Sequence, residues 1–66
     1  MDKYIVYREK DNVIVSIMKH KTDGKYSYVN LTKGHICPCK FESIEDAISD
    51  MDDKILEGSI ISYKKI

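Results

Sequence analysis

The chain has two cysteines, one proline, three glycines and no long apolar run, and each scarcity closes off a class of protein. Cys37 and Cys39 stand two apart. On an extended strand their side chains would lie roughly 7 Å from each other, too far for a relaxed disulfide. With no third cysteine to pair with either, a disulfide-stapled scaffold is excluded and a reducing compartment is expected. Gly24, Gly34 and Gly58 are isolated, so no glycine-rich loop exists to cradle a phosphate. No stretch approaches the roughly 20 apolar residues of a membrane span. The opening Met-Asp-Lys-Tyr is not the apolar start of a signal peptide, and neither terminus carries a lipidation motif. The expected setting is therefore cytoplasmic, with no membrane partner. Internal repeats, low-complexity tracts and linkers are missing as well.

What is present suits one small folded domain spanning 1–66. Hydrophobic residues make up 42% and charged residues 33%, which separates the chain from disordered sequences. Sixty-six residues leave room for one modest core. The formal net charge is zero, yet the charges are not mixed. Residues 1–41 hold eight Lys or Arg against four Asp or Glu, a net of +4; residues 42–66 hold three against seven, a net of −4. Two opposed fields on so small a body are something a partner can read.

The first two-thirds predicts strands. Residues 4–7 and 13–18 are rich in β-branched and aromatic side chains and are separated by a Lys-Asp-Asn turn. Thr22-Asp23-Gly24-Lys25 predicts a second hairpin loop, residues 25–31 a third strand and Thr32-Lys33-Gly34 a further turn. Residues 35–41 predict a short fourth strand that Pro38 confines to an edge or an irregular course. One helix is clear. Ser43 suits the N-cap, with Asp46 three residues on. Ile44, Ala47, Ile48, Met51 and Ile55 fall within about 100° of one another on the wheel. Gly58 suits the left-handed position that closes the helix, and 59–65 predicts a last strand. The expected fold is α+β: an antiparallel sheet of three to five strands, in the order three strands, a short fourth, the helix and a final strand. The helix covers one sheet face and leaves the other to solvent or a partner.

Three constellations are candidates for function. Opposite the helix's apolar stripe lie Glu42, Glu45, Asp46, Asp50, Asp52, Asp53 and Glu57. Aspartate is a poor residue inside a helix, and Asp52 and Asp53 approach the end whose dipole favours cations. Leu56 falls off the core stripe, among these acids, where it can anchor a protein contact. The protein-binding candidates are therefore Glu45, Asp46, Asp50, Asp52, Asp53, Leu56 and Glu57. A second set, Arg8, Lys10, Lys19, Lys21, Lys25 and Lys33, is interleaved with Tyr4, Tyr7, Tyr26 and Tyr28, the ingredients of a sheet that binds single-stranded nucleic acid. In the third, His35, Cys37 and Cys39 would share one face of an extended strand. With His20 they would make a zinc tetrad, although the spacing departs from the Cys-x₂₋₄-Cys knuckle.

Catalytic chemistry has little support. The one thiol–imidazole pair lies on a single short strand with no orienting third group, and the carboxylates face water. The expected protein is a non-enzymatic binding module without a cofactor. Its acidic helix face would dock on a basic surface of another protein, one that itself binds nucleic acid, and so inhibit it. The size, composition and single helix would suit a phage or mobile-element product. The alternatives are direct nucleic-acid binding through the basic half and a small zinc-stabilised domain. A monomer and an edge-paired homodimer are equally compatible with the pattern.

Overall fold

The computed structural model describes residues 3–66, which form an antiparallel sheet of five strands with one helix across it. The strands are β1 (Lys3–Tyr7), β2 (Asn12–Lys19), β3 (Tyr26–Asn30), β4 (His35–Ile36) and β5 (Ser62–Lys65), and α1 spans Ile44–Glu57. The sheet order is β4-β3-β2-β1-β5. The first four strands are a meander, and β5 returns after the helix to pair with β1, setting Val6 opposite Tyr63. This is the expected α+β arrangement at the upper end of its strand count.

Period-two alternation explains what faces the helix. Tyr4 and Val6 of β1 and Val13, Val15 and Ile17 of β2 are buried beneath it with Ala47, Met51 and Ile60. Tyr26, Tyr28, Phe41, Ile44, Ile48, Ile55 and Tyr63 pack around that centre, so the whole predicted helical stripe is used. The opposite sheet face carries Ile5, Tyr7, Ile14, Met18 and Val29, all half-buried, and exposed Ile36. One helix covers one face only.

Both helix ends are closed as the sequence implied. Ser43 Oγ accepts from the Asp46 backbone N–H at 3.1 Å. Gly58, at φ 86°, gives the left-handed turn in which its own N–H reaches the Ile55 carbonyl and the Ser59 N–H reaches that of Lys54. That is the Schellman closure. It draws Ser59 into the cap and Ile60 into the core, so the last strand begins at Ser62 rather than at 59.

The fourth strand is also shorter than 35–41. Asn30 pairs with His35 and Val29 with Ile36, a register that would set Tyr26 opposite Cys39; Tyr26 instead pairs with Phe41. Two extra residues are accommodated as a bulge around Pro38, where a ladder donor is missing. Ser27 fastens this bulge from below. Its hydroxyl donates to the Cys39 carbonyl and contacts His20 Nε2 at 2.7 Å. A hydroxyl has one proton, so with that proton on the carbonyl the imidazole must donate from Nε2.

Two tyrosines hold the helix to the sheet from either side. The Tyr28 hydroxyl, from β3, donates to the Ala47 carbonyl and lies 3.1 Å from Asp50 Oδ2, which also takes the Lys54 ammonium at 2.6 Å. The Tyr63 hydroxyl, from β5, donates to Asp52 Oδ1 at 2.6 Å. Burial and then the Asp50 charge push the Tyr28 phenol well above its ordinary value. The Asp52 hydrogen bond raises that of Tyr63, with burial adding to it.

Tyr28→Phe should lower stability by about 1–2 kcal/mol in urea unfolding, since it removes a hydroxyl shared with a carboxylate. Tyr63→Phe, at an exposed pair, should cost less than about 1 kcal/mol. The folded state holds the Tyr28 proton past the ordinary value of 10.0. Its contribution is thus whole below pH 10 and falls as pH rises beyond it, because only the unfolded chain then releases that proton. Unfolding midpoints of Tyr28→Phe should fall less steeply above pH 10 than those of the parent.

Candidate protein-binding site

The latches divide the acidic residues into two groups. Asp50 and Asp52, expected to face water with the others, are taken up by Tyr28, Lys54 and Tyr63. Glu42 pairs with Lys25 across the sheet edge at 2.5 Å. Glu45, Asp46, Asp53 and Glu57 are exposed, and among the described residues their carboxylates enter no salt bridge. Asp46 sits in the first turn with Glu45, where the helix dipole favours it. Asp53 has no such reason.

Leu56 is 86% exposed, the most exposed of the large apolar side chains among the described residues. It stands one turn beyond Asp52 and Asp53 and beside Glu57, on a helix whose last turn is fixed by the Gly58 closure. Leu56 therefore stays outside the core. An apolar side chain among carboxylates combines a group that gains from burial with groups that steer a cationic partner. Full burial of a leucine is worth about 1.5–3 kcal/mol. The neighbouring charges act more on encounter rate and choice of partner.

The six basic candidates do not converge. Arg8 clamps Asp11 through Nε and Nη2 at 2.6 and 2.8 Å, and Lys33 reaches the same carboxylate at 3.4 Å. Hydrogen bonding from Arg8 holds the Asp11 carboxyl below its ordinary value. Lys25 is tied to Glu42, and Lys40 pairs with Asp23 at 2.5 Å. Lys10, Lys19 and Lys21 enter no salt bridge among the described residues, but Lys10 lies before β2 and the other two at its far end. Eight strand residues between them span roughly 25 Å. Tyr4, Tyr26 and Tyr28 point into the helix-covered core, leaving Tyr7 alone of the four on the open face.

The metal candidates are separated as well. His35 and Cys37 border the space between sheet and helix, whereas His20 lies against Ser27 on the other sheet face. Despite the bulge, Cys37 and Cys39 stay side by side near Tyr28. Both cysteines are free and half-buried, and the Cys39 N–H contacts Cys37 Sγ at 3.4 Å. Burial, with Cys37 beside it, pushes the Cys39 thiol up, away from the reactive thiolate. Among the described residues no group of three or more His, Cys, Asp or Glu is placed to hold a metal ion, and no helix is long and apolar enough to cross a membrane.

The chain matches no family model, no curated protein and no solved structure in comparisons with known proteins. The candidate site therefore rests on its own geometry.

Substitutions should separate the two groups of acids in urea unfolding. Leu56→Ser and Asp53→Lys should each leave stability within about 0.5 kcal/mol of the parent. Asp50→Lys should lower it by about 2 kcal/mol, because Tyr28 loses its carboxylate neighbour and Lys54 gains a like charge in place of its ion-pair partner.

Proposed function

We propose that the chain is a non-enzymatic protein-binding module that docks the outer face of α1 on a basic surface of another protein. The observation that carries this reading is Leu56, 86% exposed, beside Asp53 and Glu57 on a helix end closed firmly enough to keep it there. On a docking face the carboxylates orient and accelerate the approach, and the leucine enters an apolar depression on the partner. A surface that presents lysines and arginines to nucleic acid has the matching charge. Occupying it would block that nucleic acid, so the reading extends to an inhibitor of the kind found among phage and mobile-element products.

The test uses variants that do not touch the latches. Asp53→Lys with Glu57→Lys reverses two charges at the helix end that favours cations, so the fold should be retained or slightly stabilised. Affinity capture from the native host, read by mass spectrometry, should recover a basic partner with the parent chain. It should lose that partner with the double variant and with Leu56→Ser. Equal recovery by all three would refute the assignment of this face.

A further inference from the structure

A second surface, independent of the acidic face, lies where α1 leaves the sheet. Between the C-terminal half of the helix and the ends of β1 and β2 lies an open cleft of about 170 Å³, lined by Val6, Arg8, Val13, Met51 and Lys54 among others. Its floor is aliphatic: Val6, Val13, Val15, Met51 and Ile60, each almost wholly buried yet bordering the cleft. Its mouth is polar and cationic, with Arg8 on one side and Lys54 on the other. The size is that of one compact group, since an aliphatic cavity of about 150 Å³ admits a benzene ring.

Unspent donors at the mouth suit an anion. Arg8 is paired with Asp11 and Lys54 with Asp50, with Glu57 also in the field of Lys54, so what the mouth offers an anion is spare donors and not net charge. Neither lining cation is exhausted by its partner. Arg8 uses Nε and Nη2 on Asp11, leaving three of its five N–H groups, and Lys54 uses one of three on Asp50. A dry apolar floor beneath spare cationic donors is the usual form of a site for an amphipathic anion. We propose that this cleft binds a carboxylate carrying one compact apolar group, a single ring or a branched chain. The apolar body lies on Val13, Val15 and Met51, and the carboxylate meets Arg8 and Lys54. A free organic acid and the C-terminal apolar residue of a peptide share this chemistry.

The experiment titrates isotope-labelled chain and follows its backbone amide resonances. Phenylacetate and isovalerate represent the free acids; Gly-Gly-Phe with a free C-terminus represents the peptide, and the matching amides serve as uncharged controls. The acids should give saturable shifts centred on Val13, Val15, Met51 and Ile60, with a dissociation constant of about 1 mM for ligands of this size. The amides should bind about tenfold more weakly, and Lys54→Gln should reduce acid binding about threefold while leaving the amide unchanged. Tighter binding of the free acids, or of the peptide acid, supports the proposal and identifies the source. No saturable shift at the cleft from any acid up to about 20 mM would overturn it. Equal affinity for acid and amide on the unmodified chain would overturn it too, because the cationic mouth would then play no part.

Discussion

The roll of the helix on the sheet is set by the Tyr28 hydroxyl, and most of the surface follows from it. Apolar packing alone fixes which stripe faces inward to within a few tens of degrees, because Ile, Met and Ala side chains tolerate sliding. A phenol that donates to the Ala47 carbonyl and lies against Asp50 does not tolerate it. Tyr63, bound to Asp52 from the other side of the helix, opposes rotation in the other sense. An interior aspartate costs up to about 0.7 kcal/mol relative to alanine. At Asp50 the carboxylate takes the Lys54 ammonium at 2.6 Å and lies against the Tyr28 hydroxyl, contacts that offset the local preference. At exposed Asp52 the two nearly cancel, and the gain there is orientation.

Much of the fold was legible in the sequence because it depends on short-range pattern. Strand alternation, the Ser43 cap, the Gly58 closure and the stripe from Ile44 to Ile55 all involve residues within a few positions of one another. Leu56 was legible for the same reason: its angle on the wheel places it outside the core. The latches were not legible. Tyr28 and Asp50 are 22 residues apart and Tyr63 and Asp52 are 11 apart, and their meeting depends on which strand underlies which side of the helix. The same limit hid the Lys25–Glu42 and Lys40–Asp23 pairs, which join distant turns and neutralise part of the basic excess. The continuous strand expected over 35–41 was not found, because a two-residue bulge breaks the alternation after Ile36, and His20 lies on the other sheet face.

The acid-rich segment is consequently two things at once. Asp50 and Asp52 belong to the architecture; Glu45, Asp46, Asp53 and Glu57 belong to the surface. The puzzle of aspartates in disfavoured helical positions narrows to Asp53, beside the projecting Leu56. The opposed fields also take a new form. Around the aliphatic cleft, Arg8 and Lys54 present unspent N–H donors, while the outer helix face is acidic. A chain of this size thus presents two chemically opposite surfaces on different sides of one helix. The roll of that helix decides which residues belong to each.

That roll is tested most directly by a double-mutant cycle on Tyr28→Phe and Asp50→Asn, with stability read by urea unfolding. If the hydroxyl–carboxylate contact fixes the helix, the two substitutions should be coupled by about 1 kcal/mol, the double variant losing less than the sum of the singles. Additive losses would show that Tyr28 and Asp50 act separately, and would contradict the account of what orients the helix.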